Sequence, residues 1–354
     1  MKIPDSLKWK HTGKTLGQGG QAQVLEVIDK TADSTQTYAL KPLGRNKPKQ
    51  AYERFYREIQ AIKAANHPYI IRIIDHSNQG DDFNFYVMEL LPGAVSLKTL
   101  IESGNNPFFR DALKSLSFFM KLVEVIIECE QKLKVGEEDL KVVHRDLSPG
   151  NVLILPDETI KVIDFGICQI EGAEPVSLVD EAFGTIDYMA PECGSGAGGQ
   201  ITSKADLYSA AKILWSAVVG RKAFAREEPI WKAMSLGSIF PDHPATWHLS
   251  PILEKTIQEK VYDRPTPEAA LELSKKIYSV IDCGFPPIEL VGKQCPVCGF
   301  GELSTKGAEA GWAKWPPQGI SYFECNNCGF YFAQNKSTYD AGVKRGRPEF
   351  GWRG

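Results

Sequence analysis

The stretch HRDLSPGN sets His144, Arg145 and Asp146 side by side and places Asn151 after a four-residue gap. That spacing is one that transfers phosphate. Where such chemistry usually keeps a lysine, two residues after the aspartate, this chain has Ser148. Upstream, LGQGGQAQV offers Gly17, Gly19 and Gly20 between two strand-like runs. Glycines let backbone N–H groups approach phosphate oxygens with no Cβ in the way, although by itself the run is also an ordinary hairpin turn. TYALKPL puts Lys41 on a following strand, where its ammonium could hold phosphates, and Glu58 on the next helix could pair with it. A second chemistry lies near the end. Cys295 and Cys298, then Cys325 and Cys328, form two C-x-x-C pairs. Four soft thiolates at that spacing favour a closed, tetrahedral Zn²⁺ site that is structural rather than catalytic.

The elements that must carry these residues divide into two kinds. Up to about residue 90 the patterns are short strands with one helix: KTLGQGGQAQVLEVID as two strands, TYALKPL as a third, then YIIRIID and FNFYVMEL. YERFYREIQAIKAA has helical spacing, and His67-Pro68 stops it. After Pro92 long helical patterns take over in SLSFFMKLVEVIIECEQKL, DLYSAAKILWSAVVG and PEAALELSKKIYSVI. CGFPPIELVGKQCP has the proline and glycine punctuation of a linker.

Composition sets outer bounds. The 354 residues suit one large domain and a small one, with a net charge of -3 that gives no sign of a nucleic-acid or membrane protein. No apolar run approaches the ~20 residues a bilayer span needs. MKIPDSLKWK lacks the apolar core of a signal peptide. The expected location is cytoplasmic, and a reducing compartment agrees with paired cysteines that bind metal rather than form disulfides. Nothing in the pattern sets an oligomeric state.

Order turns the weak signals into a strong one. Glycine loop, strand lysine, helix glutamate, H-R-D-x-x-x-x-N, VIDFG and YMAPE follow one another as in a protein kinase. From about Trp9 to Cys283 the chain resembles the eukaryotic-type protein kinase family. The resemblance implies an α+β, bilobal kinase fold over residues 1–283, with an N-lobe of about 9–91 and a C-lobe of about 92–283. A linker at 284–294, a small zinc ribbon at 295–334 and a basic, glycine-containing tail at 335–354 would follow. It also implies transfer of the ATP γ-phosphoryl group to serine or threonine hydroxyls of protein substrates. Asp146 would then take the hydroxyl proton, and Asn151 and Asp164 would ligate Mg²⁺. Lys41 would hold the phosphates with Glu58 as its partner, beneath the backbone of Gly17, Gly19 and Gly20. Leu16, Val24 and Ala39 would line the adenine site, Met88 would guard its back, and the peptide groups of Glu89 and Leu91 would bond the base. His144 and Phe165 would pack rather than react. Glu192 and Arg264 would form a buried ion pair, and Asp206 would anchor the catalytic loop.

Three positions depart from the family pattern. Ser148 cannot neutralise a migrating phosphoryl group as lysine does, which makes a nucleotide-binding pseudokinase scaffold the competing reading. Ala22 stands for the third loop glycine. Glu181, after Asp180, occupies the place of a phosphorylatable threonine and could pair with Arg145; Ser177 remains a candidate for autophosphorylation, and Thr185 resembles the threonine of serine/threonine-directed members. In the tail, Arg345-Gly346-Arg347-Pro348 resembles the core of a minor-groove DNA-binding hook. Glu349 follows where more basic residues belong, so an exposed basic tail is expected and DNA is the lesser alternative.

Overall fold

The computed structural model describes residues 2–18, 23–33, 35–44, 48–65, 67–131, 133–135, 138–140, 142–165, 169–170, 186–194, 201–225, 236–240, 243–282, 303–306, 322–325 and 331–333. Gly19, Gly20, Ala22, Ser177, Asp180, Glu181, Thr185, Cys295, Cys298, Cys328, the linker and the tail lie outside the described residues.

The first lobe is a five-stranded antiparallel sheet of β1 (Trp9–Gln18), β2 (Gln23–Asp29), β3 (Thr37–Pro42), β4 (Ile73–His76) and β5 (Phe85–Glu89). The strands lie in the order β1-β2-β3-β5-β4, with helix α1 (Lys49–Ala64) between β3 and β4. Successive side chains on a strand point to opposite faces. Leu25, Val27, Leu40, Phe85 and Val87 therefore share the outer face, where Ile3, Trp9 and Phe83 close an apolar cluster over them. The same alternation puts Val24, Ala39, Lys41, Tyr86 and Met88 on the inner face. α1 covers part of that face with Phe55 and Ile59, which pack on Tyr86 with Met88 beside them.

The second lobe is helical: α2 (Leu97–Glu102), α3 (Ala112–Glu130), α4 (Ser203–Val219), the short α5 (Leu236–Ile239), α6 (Pro244–Trp247) and α7 (Ser250–Thr256), and α8 (Pro267–Asp282). Asp111 starts α3 by accepting the Lys114 N–H at 2.9 Å, as an N-cap carboxylate does. α4 is buried all round except at Lys204, the pattern of a helix at the centre of a lobe. It ends at Gly220 with φ +72°, the left-handed C-cap conformation that glycine tolerates. A Cβ there would lie 2.8 Å from the Phe109 ring.

Small strands join the lobes and shape the loops between them. β6 (Val95–Ser96), β10 (Val152–Ile154) and β11 (Ile160–Val162) form one three-stranded sheet, and β9 (Val142–Val143) pairs with β12 (Gln169–Ile170). β7 (Leu133–Val135) and β8 (Glu138–Leu140) make a hairpin between α3 and the HRD loop. The YIIRIID run is a strand only from Ile73. Its first part instead bridges the lobes: Val162 N–H donates to the Tyr69 carbonyl at 2.7 Å, and Ile71 N–H to the Val162 carbonyl at 3.1 Å. Lys161 adds an ion pair to Glu89 at 2.8 Å. Toward the C-terminus, β13 (Leu303–Lys306), β14 (Tyr322–Cys325) and β15 (Tyr331–Ala333) form a three-stranded antiparallel sheet.

Candidate active site

Lys41 reaches out of β3 between two carboxylates, buried Glu58 and half-buried Asp164. Its Nζ lies 3.2 Å from Glu58 Oε1 on α1 and also contacts Asp164 Oδ1. Burial by itself disfavours an ammonium. Tyr86 and the carboxylates of Glu58 and Asp164 outweigh it, so Lys41 stays charged with its pKa well above the ordinary value. Burial raises Glu58 against the pull of Lys41. At Asp164 the balance reverses: burial pushes upward, but Lys41 holds the carboxyl below its usual range.

Asp164 follows β11 with φ +62°, and Arg145 sits at φ +65°; both are left-handed conformations that non-glycine residues rarely adopt. Strain of this kind persists only where surrounding contacts over-determine it. For Arg145 those contacts are visible. The backbone N–H groups of His144 and Arg145 donate to Asp206 Oδ2 and Oδ1 at 2.7 and 2.8 Å. Asp206 lies in the first turn of α4, fully enclosed, and burial pushes its carboxyl up to about 6 despite those two bonds. The central helix thereby fixes the loop that presents Asp146.

His144 is a packed side chain, as expected. Its ring lies 4.5 Å from the Phe165 ring, and burial lowers its pKa to about 4, leaving it neutral at pH 7. Nδ1 accepts the Asp146 N–H at 3.3 Å while Nε2 donates to the Ile163 carbonyl at 3.2 Å. One side chain thus ties Asp146 to the residue before Asp164.

Asn151 closes the loop by donating from Nδ2 to the carbonyl and carboxylate of Asp146, at 2.7 and 3.0 Å. That orientation turns Oδ1, a hard oxygen that could face a cation, away from Asp146. Its backbone carbonyl accepts the Ile163 N–H at 3.0 Å, which links the Asn151 and Asp164 segments. Ser148 is buried beside them.

Of the base-binding candidates, Ala39 is buried, whereas Leu16, Val24, Met88, Glu89 and Leu91 are half-buried. Gly17 pairs with Val24 at the end of β1. The peptide expectation narrows. Glu89 N–H already donates to the Arg72 carbonyl at 3.0 Å, so the group it could offer a base is the carbonyl. The Leu91 carbonyl accepts Ala94 N–H at 3.1 Å, so the group it could offer is the N–H.

Two tyrosines had no place in the sequence reading. Tyr86 donates its hydroxyl to Glu58 Oε1 at 2.9 Å. Tyr56, on α1, bonds Asn84 Oδ1 at 2.6 Å and Ser77 Oγ at 3.0 Å, beside the β4–β5 connection. The alternation of FYVME placed Tyr86 on the face of Met88, but no sequence signal paired its hydroxyl with α1. Farther out, Arg264 and Glu192 make the expected pair in bidentate form, at 2.6 and 2.9 Å.

Among the described residues no group of three or more His, Cys, Asp or Glu side chains could hold a metal by itself. Mg²⁺ binds through one or two protein oxygens and takes the rest from phosphates and water. Asp164, with its carboxylate ionised, and Asn151 are a donor set of that kind.

The family model described as "Protein kinase domain" matches residues 10–274. Serine/threonine-protein kinase PrkC of Bacillus subtilis is 26% identical over 245 residues, covering 69% of this chain and 35% of that protein. Serine/threonine-protein kinase PknA of Mycobacterium tuberculosis is 28% identical over 225 residues, covering 62% of this chain and 49% of that one. The chain thus spans about a third to a half of the length of these relatives. The crystal structure of the Mycobacterium tuberculosis PknI kinase domain superposes with a TM-score of 0.57 at 19% identity, over 78% of this chain and all of that one. At that identity it speaks for the fold.

Proposed function

Since the chain belongs to the protein kinase family, we propose that it transfers the γ-phosphoryl group of ATP to serine or threonine hydroxyls of protein substrates. The carrying observation is the convergence of Lys41, Glu58 and Asp164 in one ion-paired cluster, with Asn151 bonded to Asp146 on the adjoining loop. Asp146 is oriented by Asn151 and through its backbone by His144, so that its carboxylate can take the proton of an incoming hydroxyl. Lys41, kept charged by its acidic neighbours, would bind phosphate oxygens, and Glu58 keeps it aimed. Asn151 Oδ1 and the Asp164 carboxylate would hold Mg²⁺. When bound, the ion neutralises charge between the phosphates. The half-buried Leu16, Val24, Met88 and Leu91, with buried Ala39, would take the base.

Ser148 favours one competing reading, a scaffold that binds nucleotide without transferring phosphate. Labelled ATP with Mg²⁺ and the full chain, beside an Asp146→Asn form, separates the two. Label on protein that disappears in the variant supports transfer. Nucleotide binding in both forms with label in neither refutes it. Substrate identity would follow from phosphoproteomics of cells expressing the two forms.

The C-terminal module is proposed as a zinc ribbon that recruits partners or regulates the kinase. Its support is order: the first cysteine pair precedes β13, and the second begins at Cys325, the last residue of β14, ahead of β15. A module so small has little core, and metal binding of about 10–16 kcal/mol would be what folds it. The prediction is one zinc per chain by elemental analysis, and none after Cys295→Ser with Cys298→Ser. Among the described residues no helix is long and apolar enough to cross a membrane, and a cytoplasmic setting is part of this proposal.

A further inference from the structure

We propose that Tyr86 is a positioning residue for the phosphate-holding lysine, acting through Glu58; the inference rests on the kinase reading above. Tyr86 sits on the inner face of β5 with 1% of its surface exposed. Its hydroxyl donates to Glu58 Oε1 at 2.9 Å, the same oxygen that accepts from Lys41 Nζ at 3.2 Å. The ammonium also lies 5.5 Å from the centroid of the Tyr86 ring. One tyrosine therefore touches both members of the ion pair.

Geometry makes this more than packing. Glu58 is buried, so water does not supply the donors its carboxylate needs. A carboxylate held by Lys41 alone could swing about that single flexible ammonium. A hydroxyl from a sheet strand adds a second, rigid direction, since the phenol ring has nowhere to move. Its ring lies 5.5 Å from that of Phe55 on α1. Bonds in which the acceptor is charged are the stronger kind. The helix carrying Glu58 is moored separately, through Tyr56 to Ser77 and Asn84. Sheet and helix thus fix Glu58 from inside the first lobe.

The test is Tyr86→Phe in the full chain, which keeps the ring and removes only the hydroxyl. Two readouts are taken: displacement of a fluorescent ATP analogue in the presence of Mg²⁺, and initial rates of label transfer. The expected result is a loss of about tenfold in kcat/KM for ATP, equivalent to about 1.4 kcal/mol. The same substitution in a Glu58→Ala background is expected to change ATP affinity less than about twofold, because the group it acts on is gone; residues in contact are non-additive in this way. A hydroxyl that only stabilises the fold gives the same loss in both backgrounds, and that outcome overturns the proposal. So does an unchanged affinity and rate in Tyr86→Phe. Should the wild-type chain bind nucleotide but transfer no label, the kinase reading falls, while the affinity arm still judges Tyr86: about tenfold weaker binding upholds its role and equal binding ends it.

Discussion

Removing the charge of Glu192 tests how the helical lobe is held. Arg264 is enclosed completely, with no side-chain surface exposed, and Glu192 is nearly so at 11%. A guanidinium has five N–H donors. Here Nε donates to the Gln258 carbonyl, Nη1 to Glu192 and the Lys204 carbonyl, and Nη2 to Glu192 and the Glu259 carbonyl. Glu192→Gln keeps the shape but leaves a buried cation without its counter-charge and turns one amide N–H toward an N–H. Breaking a buried pair by removing one partner costs about 3–5 kcal/mol, and Gln belongs at the lower end because its remaining oxygen still accepts. At about 2–4 °C per kcal/mol for a domain of such size, the midpoint of thermal unfolding should drop by about 6–12 °C. Lys114 and Glu158 provide the control, at a similar 2.7 Å but with side chains 46% and 40% exposed. There Glu158→Gln should cost less than about 1 kcal/mol. Equal shifts for the two substitutions, by calorimetry under one buffer condition, would refute the argument that burial rather than distance sets the effect.

Ser148→Lys should raise kcat at saturating ATP by about tenfold or more, since a single electrostatic donor at a transferring group is worth about 10²–10³ in rate; an unchanged rate would mean another cation already serves there. Acid should destabilise the fold. Burial lowers His144 to about 4 and His248 to about 3, so their contributions are intact above the ordinary 6.5 and are lost as pH falls toward those values. Asp206, raised to about 6, works the other way, adding stability as pH falls from 6 toward 4. Two histidines outweigh one carboxyl, and the net loss from pH 7 to 5 should be about 2–3 kcal/mol by denaturant titration; a flat profile there would contradict the burial of these rings. Gly220→Ala forces a Cβ into a left-handed position against Phe109, and its unfolding midpoint should fall by an amount that Phe109→Ala partly recovers.

Which features were legible in the sequence follows from the range of the interactions behind them. β2, β3 and β5, and helices α1, α3, α4 and α8, announce themselves through alternation or helical spacing because each has one apolar face or is largely apolar, whereas the polar β1 is marked mainly by the glycine turn that ends it. The β7–β8 hairpin was missed. KLKVGEEDL holds too few apolar residues to show a period, and its strands are only three residues long. YIIRIID was read too long for the opposite reason. Its apolar start is buried under the second lobe, and its backbone bonds go to β11 instead of to the sheet. The proposed zinc ribbon stays an inference from cysteine spacing; the fold adds only three short strands, β13 to β15, in that part of the chain.

The candidate site residues stand out in the sequence for a further reason. Catalytic groups must be of particular chemical types, and the loops carrying them are short enough to fix their spacing. Their supports are under no such constraint. Glu58 needs a donor from across the lobe, and nothing about phosphate chemistry says that it must be a tyrosine 28 residues later. Arg145 and Asp164 need strained backbones, but the stabilising contacts come from Asp206, which lies 61 residues beyond Arg145, and from Lys41, 123 residues before Asp164. A motif therefore names the groups that react, while the long-range bonds that keep them in rare conformations become visible only once the chain is folded. It follows that Tyr86→Phe, which leaves every motif intact, should reduce function more than many substitutions inside the glycine-rich turn. There the proposed phosphate contacts would come from backbone N–H groups, and side-chain identity would matter only where a Cβ intrudes.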